Sequence, residues 1–162
     1  PRLSNKKTKE MSEQIDHDEN AVSIHVRRGD YLEPKYWKTT GCVCQLPYYL
    51  NAIAEMNKRI SQPSYYVFSD DIAWVKENLP LPKAFFIDWN KGTESWQDMM
   101  LMSRCRHHII CNSTFSWWGA WLNPRENKTV IMPERWFRHC ETPDICPDKW
   151  IKVPINQPDS IQ

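Results

Sequence analysis

Short apolar runs alternate with amphipathic segments along most of the chain. The first run, Ala21–Val26, is apolar at most positions and ends at two arginines, which is typical of a strand that leads into a loop. A segment over residues 48–60 follows, and its apolar positions recur at spacings of four, three and four: Tyr49, Ile53, Met56 and Ile60. This periodicity predicts a helix, with Pro47 near its first turn.

The same alternation of strand and helix continues to residue 132. Further strands are predicted over residues 65–69, 84–88, 107–111 and 129–132, and further helices over residues 72–79, 95–104 and 113–122. Strands that alternate with helices of this length indicate an α/β domain with a Rossmann-like, mostly parallel sheet and helices on both faces. Ligands of such sheets bind beyond the carboxyl ends of the strands, so the residues just after each strand are the candidates for a binding site.

The two ends of the chain lack this periodicity. Residues 1–20 are polar and charged, and we interpret them as a linker or as the remnant of an upstream region. Residues 21–162 are expected to form a single domain. Beyond Pro133, proline, tryptophan and cysteine are frequent, and we expect this tail to pack on the domain through Trp136 and Trp150.

Charge and composition disfavour some classes of function. The 21 Lys and Arg residues nearly balance the 20 Asp and Glu residues, so the net charge of +1 gives no general attraction to nucleic acid or to an anionic membrane. No apolar run approaches the ~18 residues of a membrane span. Two of the six cysteines, Cys105 and Cys111, lie in apolar segments, which favours free thiols and a reduced, cytoplasmic protein over a secreted one.

The end of the first strand carries several side chains that could bind a ligand. His25 and Arg27 lie two residues apart and therefore point to the same face of the strand, while Arg28 begins the turn. Two adjacent guanidiniums repel each other unless an anion lies between them, and the planar, paired donors of arginine suit a diphosphate. An ion pair at the strand end, such as Arg28 with Asp30, explains the same residues equally well.

The strand predicted over residues 65–69 ends at Asp70 and Asp71. A carboxylate in this place can accept hydrogen bonds from the imino and amino groups of a guanine. Aspartate is also among the best helix N-cap residues, and for this feature alone capping of the next helix is the better explanation. The two roles are compatible, because neighbouring carboxylates can divide them.

The strand predicted over residues 107–111 ends at Asn112, Ser113 and Thr114. Hydroxyl groups and free amides at a helix N-terminus attract a phosphate, although ordinary Ser/Thr capping would also explain them. The helix that follows is bulky, and we expect most of its aromatic rings to pack in the core or at a domain interface. These rings are Phe115, Trp117, Trp118 and Trp121.

Together the three strand ends fit a nucleoside diphosphate, with its phosphates at the first and third ends and its base at the second. The sequence contains neither the Gly-x-Gly-x-x-Gly pattern of dinucleotide sites nor the Gly-x-x-x-x-Gly-Lys-Ser/Thr pattern of P-loops. A zinc site is disfavoured, because the cysteines lack paired Cys-x-x-Cys spacing. His107 and His108 begin an apolar strand, where a hydrogen-bonded structural histidine is expected.

Four segments resemble, in order, the C-terminal part of the alpha-1,2-fucosyltransferase family, which is glycosyltransferase family 11. They are residues 25–31 (His-Val-Arg-Arg-Gly-Asp-Tyr), 68–71 (Phe-Ser-Asp-Asp), 96–103 (Trp-Gln-Asp-Met-Met-Leu-Met-Ser) and 112–123 (Asn-Ser-Thr-Phe-Ser-Trp-Trp-Gly-Ala-Trp-Leu-Asn). The arginine motif is shared with alpha-1,6- and protein O-fucosyltransferases, so it indicates the donor. The Asn-Ser-Thr-Phe-Ser-Trp-Trp segment is what points to the alpha-1,2 linkage.

The resemblance implies the C-terminal lobe of a two-lobed GT-B glycosyltransferase, which holds GDP-fucose and transfers L-fucose to a galactosyl hydroxyl with inversion, without a metal or other cofactor. By position, Arg27 and Arg28 would clamp the diphosphate, and His25 would lie by the nucleotide. The pair Asp70 and Asp71 would include the guanine contact. The residues expected near the phosphates are Asn112, Ser113 and Thr114.

Arg28 and Asp30 are the candidate catalytic residues. An arginine at the diphosphate would stabilise the charge that develops on the departing GDP. Inversion also requires a base for the acceptor hydroxyl, and Asp30 and Glu33 are near enough in sequence, although Asp30 could instead orient the arginines. The lobe that precedes the arginine motif in this family is missing from the 162 residues, so we expect donor binding from this chain and turnover only with that lobe.

The expected partners are GDP-fucose and a galactose-terminated glycan, with no nucleic acid. A cytoplasmic location is expected, with peripheral association of the full-length enzyme at the inner face of a bacterial membrane, and the Golgi lumen is the alternative. Three other functions stay open: a fucosyltransferase of another linkage, a GDP-sugar-binding module without catalysis, and a zinc-stabilised interaction domain.

Overall fold

A six-stranded parallel sheet forms the centre of the protein, and helices cover both of its faces. The structure is a computed structural model that describes residues 2–156. The helices are α1 (Lys6–His17), α2 (Pro34–Tyr36), α3 (Leu46–Arg59), α4 (Ile72–Asn78), α5 (Trp96–Arg104) and α6 (Thr114–Trp121). The strands are β1 (Ala21–Val26), β2 (Ser64–Ser69), β3 (Ala84–Ile87), β4 (His107–Ile109), β5 (Val130–Pro133) and β6 (Ile151–Val153).

The strand order across the sheet is β3-β2-β1-β4-β5-β6, and every neighbouring pair is parallel. The chain builds outward from β1 as far as β3 and then returns to place β4, β5 and β6 on the other side of β1. This reversal between β1 and β4 is the topological switch point beside which open α/β sheets bind ligands. The predicted Rossmann-like α/β fold is confirmed.

Every strand and helix predicted between residues 21 and 133 is present, with ends that differ by at most two residues. In α3, the predicted apolar stripe of Tyr49, Ile53 and Met56 is buried. These side chains pack in one cluster with Val22 and Ile24 of β1. The helical period of the apolar positions therefore identified the face of α3 that covers the sheet.

The first twenty residues differ from the prediction. Residues 6–17 form α1, which begins at the N-cap Asn5, whose Oδ1 accepts the N–H of Thr8 at 2.7 Å. The buried positions of α1 are Thr8, Ser12 and Ile15, a helical spacing of four and three. Two of these three side chains carry hydroxyls, so the buried face left no apolar period in the sequence. The interpretation of this segment as a linker is therefore wrong for α1.

The tail beyond Pro133 packs on the domain as expected, because Trp136 and Trp150 are buried. It also contains a strand that was not predicted, β6, which pairs with β5 and extends the sheet. Three residues are too few to show an alternating pattern, so β6 gave no recognisable signal. Residues 157–162 of the predicted domain lie outside the described residues.

Alternate residues of β1 face opposite sides of the sheet. Val22 and Ile24 lie in the cluster with α3, whereas Ala21 lies in the cluster on the other face, with Leu101 of α5. His25 follows Ala21 at an even interval, so the pleat of the strand directs its side chain towards the face that α5 covers.

Candidate functional site

A cavity of about 570 Å³ lies beyond the carboxyl ends of β1, β2 and β3. Three of the residues predicted for a ligand site line this cavity: His25, Arg27 and Asp70. The segment after β3 and the start of α5 supply further polar residues, and α6 supplies Phe115. These further polar residues include Asp88, Asn90, Lys91 and Asp98. The volume is in the range of small-molecule sites, and the cavity lies at the carboxyl edge of the sheet, where parallel α/β sheets bind ligands.

His25 presents its ring to this cavity near the end of β1. Its Nδ1 atom lies 3.3 Å from the Sγ atom of Cys111, and its ring centre lies 5.8 Å from that of Phe115. Burial and the neighbouring guanidinium of Arg27 lower the pKa of His25 to about 3, so the ring is neutral at physiological pH. A neutral imidazole can exchange a hydrogen bond with a ligand without adding charge to the site.

Arg27 gives the cavity a cation whose direction is fixed. Its Nε and Nη2 atoms donate to the two carboxylate oxygens of Asp30, at 3.2 and 2.9 Å, and its guanidinium lies 4.8 Å from the centre of the Tyr31 ring. This paired bond raises the pKa of Arg27 and lowers the pKa of Asp30. The guanidinium is thus held in place before a ligand binds, and its other N–H donors can meet an anion.

Arg28 does not line the cavity, unlike Arg27. Its guanidinium lies 4.0 Å from the centre of the Trp74 ring, and its Nε lies 3.4 Å from Oδ2 of Asp71. The side chain is 15% exposed, so these contacts hold it against α4. Ion pairs do form at this strand end, but they join Arg27 with Asp30 and Arg28 with Asp71, rather than Arg28 with Asp30.

Asp70 and Asp71 take different roles in the turn that follows β2. Asp71 caps α4, because its Oδ1 accepts the N–H of Trp74 at 3.1 Å, and the predicted capping is confirmed for this residue. Asp70 lines the cavity, and its Oδ1 accepts the main-chain N–H of Arg28 at 2.8 Å. A Cβ atom on Gly29 would lie 2.5 Å from Oδ2 of Asp70, so a glycine lets these two strand ends approach each other.

Asn112 follows β4; it is buried and does not line the cavity. Its Nδ2 donates to the main-chain carbonyl oxygens of Thr40 and Trp136, at 2.9 and 3.1 Å. The main-chain carbonyl oxygen of Asn112 accepts the hydroxyl of Tyr31 at 3.0 Å. Asn112 therefore fastens Tyr31 and Thr40, at the two ends of the segment that contains α2, to the sheet and to the C-terminal tail.

Ser113 and Thr114 also lie outside the cavity lining. Ser113 is buried and caps α6, because its Oγ accepts the N–H of Phe115 at 3.3 Å. Thr114 is exposed to solvent. The alternative of ordinary capping is thus observed at Ser113, and Phe115 is the residue through which this strand end reaches the cavity.

Asp98 lines the cavity from the first turn of α5, and sequence reasoning missed it. Its Oδ1 accepts Nδ2 of Asn90 at 2.8 Å. Burial raises the pKa of Asp98 to about 6, the bond from Asn90 opposes this rise, and the charge of Asp88 adds to it. The sequence feature that could have identified Asp98 is its position within residues 96–103, one of the four segments that resemble the family. No role was given to it, because it lies inside a predicted helix rather than directly after a strand.

His108, expected to be structural, has that role. It is buried, its Nδ1 lies 2.7 Å from Oγ of Ser23, and its Nε2 lies 2.8 Å from Nδ2 of Asn123. Within residues 2–156, no three His, Cys, Asp or Glu side chains come together as a metal site would require. The six cysteines are free thiols, and no described helix is long and apolar enough to cross a membrane.

The cavity combines a directed guanidinium, a lysine, a neutral imidazole and a partly buried carboxylate. Such a set suits a ligand with phosphate at one end and a row of N–H donors at the other. The parallel sheet, its switch point and this position of the cavity are those of a Rossmann-like lobe of a GT-B glycosyltransferase.

Within that class, the chain belongs to glycosyl transferase family 11. The family model with the description "Glycosyl transferase family 11" matches residues 3–153, a span that includes α1 and β6 as well as the cavity. The family suggested by the four sequence segments is therefore confirmed.

The chain is similar to several curated proteins. An alpha-1,2-colitosyltransferase of Escherichia coli is 38% identical over 149 residues, which cover 90% of this chain and 51% of that protein. The O-antigen biosynthesis glycosyltransferase WbnK of Escherichia coli is 37% identical over 135 residues, covering 83% and 45%. A galactoside alpha-(1,2)-fucosyltransferase 1 of Ateles belzebuth is 34% identical over 111 residues, covering 66% and 30%. The chain thus spans about half, or less, of the length of these relatives.

Proposed function

We propose that the cavity beyond β1, β2 and β3 binds GDP-fucose, and that the protein transfers L-fucose from it to the 2-hydroxyl of a galactosyl glycan with inversion. The observation that carries the proposal is that Arg27, His25 and Asp98 line one cavity at the carboxyl ends of these strands. The names of two relatives support the alpha-1,2 linkage, and the name of the Ateles belzebuth relative supports fucose as the sugar and a galactoside as the acceptor.

The diphosphate is assigned to the side of the cavity with Arg27. The bond to Asp30 uses two of its N–H donors, and the others are free to meet phosphate oxygens. Arg28 supports this position from behind: its main-chain N–H and its side chain hold Asp70 and Asp71, which fix the neighbouring turn. We therefore assign the direct phosphate contact to Arg27 and a supporting role to Arg28.

The guanine is assigned to Asp98. Asp71 caps α4 and pairs with Arg28, so its oxygens are already in use. Asp70 lines the cavity and also has one oxygen bonded, to the N–H of Arg28, but it is exposed to solvent, where water competes with a base for its free oxygen. Asp98 has one oxygen bonded to Asn90 and a pKa raised by burial, and the imino and amino donors of guanine would stabilise its ionised form. Asp70 is then placed to meet the ribose or the sugar.

During transfer, the acceptor hydroxyl oxygen bonds to C1 of fucose as the bond from C1 to the β-phosphate oxygen breaks, and the hydroxyl proton passes to a base. Arg27 stabilises the charge that GDP gains as it departs. Asp30 is a weak proton acceptor, because Arg27 lowers its pKa, so its role is to orient Arg27. The raised pKa of Asp98 is also that of a proton acceptor, so Asp98 is the alternative candidate for the catalytic base if it does not bind the guanine.

The first experiment is calorimetric titration of the chain with GDP and with UDP at matched salt. We expect GDP to bind more tightly than UDP, and Arg27→Ala to weaken GDP binding by tenfold or more, since a charged hydrogen-bonding group contributes about 1.5–3 kcal/mol. Arg28→Ala is expected to weaken it less than Arg27→Ala. Arg59→Ala is the control, because Arg59 makes a similar ion pair with Glu55 on α3. Equal binding of GDP and UDP by the folded protein would contradict the assignment of the guanine to Asp98.

Transfer itself is tested with the full-length protein, because this chain spans about half of its relatives. GDP-fucose and the GDP-activated form of colitose are offered with a galactosyl acceptor, and the products are analysed for linkage. Colitose is the second candidate sugar, because the colitosyltransferase is 38% identical to this chain. Binding of GDP-fucose without any transfer would support a non-catalytic module instead. Peripheral attachment to the inner face of a bacterial membrane stays a prediction, to be tested by cell fractionation.

A further inference from the structure

A chain of hydrogen bonds runs from α1 to the carboxylate of Asp98 in the cavity. Nε1 of Trp89 donates to Oγ1 of Thr8 at 2.9 Å. The Thr8 hydroxyl donates to Oδ1 of Asn90 at 3.0 Å. Nδ2 of Asn90 then donates to Oδ1 of Asp98 at 2.8 Å. Thr8 and Asn90 are both buried, so water competes little with these bonds.

Each bond in this chain has one possible direction. The main-chain N–H of Thr8 donates to Oδ1 of Asn5, so Asn5 turns its Nδ2 towards the oxygen of Asn90. The Thr8 hydroxyl accepts the indole N–H of Trp89 and must donate its own proton to that same Asn90 oxygen. Oδ1 of Asn90 accepts a second bond, from Nδ2 of Asn5 at 3.1 Å, which fixes the orientation of the Asn90 amide. The Asn90 side chain therefore turns its NH2 group, and not its oxygen, towards Asp98. Oδ1 of Asp98 thus faces a hydrogen-bond donor.

We propose that Thr8 and Asn90 are positioning residues for the nucleotide base, so that α1 forms part of the donor site without touching the ligand. This inference rests on the proposed function, in which Asp98 accepts hydrogen bonds from guanine. The chain occupies one oxygen of Asp98 with a donor and leaves the other for the ligand. It also stabilises the ionised carboxylate, which burial alone would disfavour.

The other charged or titratable groups around the cavity do not stabilise the ionised form of Asp98 as the bond from Asn90 does. Asp88 acts against ionisation of Asp98. Arg27 is paired with Asp30, and His25 is neutral. The remaining charged groups of the cavity wall are Asp70 and Lys91. No residue among 2–156 makes an ion pair with Asp98. Its side chain instead accepts a hydrogen bond from the side-chain amide of Asn90.

The test compares Thr8→Val, which keeps the shape of the side chain and removes its hydroxyl, with Thr8→Ser, which keeps the hydroxyl. Ser12→Ala is the control, because Ser12 is buried on the same helix one turn further on, outside the chain of bonds. We expect the Kd of GDP to rise about fivefold in Thr8→Val, the effect of one hydrogen bond, and to change less than twofold in the other two variants.

The second measurement is the pKa of Asp98 in the free protein, from the pH dependence of its carboxyl ¹³C shift. A merely structural role of Thr8 would leave this pKa unchanged. Positioning predicts that it rises in Thr8→Val and in Asn90→Ala, and stays at the wild-type value in Thr8→Ser and Ser12→Ala. Asn90→Ala keeps the test decisive if Thr8→Val fails to fold.

The two measurements separate the two hypotheses. An unchanged pKa of Asp98 in both Thr8→Val and Asn90→Ala would overturn the positioning role, whatever happens to GDP. If the wild-type protein does not bind GDP but the pKa rises as expected, the positioning of Asp98 holds and the proposed function fails. If Ser12→Ala weakens GDP binding as much as Thr8→Val does, the effect comes from loosening of α1. That result would reject a positioning role for the hydrogen bonds through Thr8 and Asn90.

Discussion

Replacing Asp98 with asparagine should make the protein more stable and its nucleotide binding weaker. Burial raises the pKa of this carboxyl from 3.8 to about 6, so the folded state at neutral pH carries a charge that it holds less favourably than the unfolded chain does. A rise of this size corresponds to at most about 3 kcal/mol of lost stability. The asparagine side chain of the variant keeps an oxygen that can accept the Asn90 amide, and it removes the charge.

The sign of the effect fixes its pH dependence. Because the folded pKa lies above the unfolded one, the stability that the protonated carboxyl contributes is complete below pH 3.8 and is lost as the pH rises through about 6. Asp98→Asn should therefore gain about 1–3 kcal/mol at pH 7.5, measured by urea unfolding, and less at each lower pH. The GDP affinity of the variant should fall about 30-fold or more, since bonds to a charged acceptor are lost.

The control is Glu77→Gln, an exposed carboxylate on α4 outside the cavity lining, which should change stability by less than about 0.5 kcal/mol. The GDP affinity of the wild-type protein should decline below pH 6. The GDP affinity of Asp98→Asn should depend less on pH. A variant that is no more stable at pH 7.5, or equally more stable at every pH, would refute the argument from burial. Unchanged GDP affinity with lost turnover in the full-length enzyme would instead assign Asp98 as the base.

Three further outcomes follow from the structure. Gly29→Ala should cost about 0.5–1.5 kcal/mol in urea unfolding, because its Cβ would lie 2.5 Å from Oδ2 of Asp70 and the displaced carboxylate would lose its bond to the N–H of Arg28; stability within error of wild type would contradict this. Asn112→Ala should cost about 1–3 kcal/mol, since it removes the donor of the buried Trp136 carbonyl and of the part-buried Thr40 carbonyl, whereas Asn51→Ala, which loses two exposed bonds, should cost under about 1 kcal/mol. Burial lowers the pKa of His108 to about 3, so stability should fall as the pH drops below 6.5, and His108→Gln should flatten that decline.

Much of the candidate site could be predicted because strands and turns are local features. The apolar runs of β1 and β2 and the polar residues after them identified His25, Arg27 and Asp70 as neighbours before any contact was known. The regular alternation of strand and helix then determined a parallel sheet, since such strands need helical crossovers. Together with the four segments of the resemblance, these patterns led to the family.

The remaining features depend on which distant residues pack together. The direction of Arg28 depends on Trp74 and Asp71, which lie more than forty residues away, so adjacent arginines with the same chemistry received different environments. Asn112 and Ser113 are buried by the tail and by α6, which the strand end alone does not reveal.

The sequence by itself determined the sheet, the edge that carries the cavity and the family, because each follows from a local period or a short motif. Only the tertiary structure decided that Asp98 enters the cavity and that α1 supports it. Both rest on polar groups buried by long-range contacts, such as Thr8 with Asn90, and a buried hydroxyl or amide has no apolar period by which a sequence could show it.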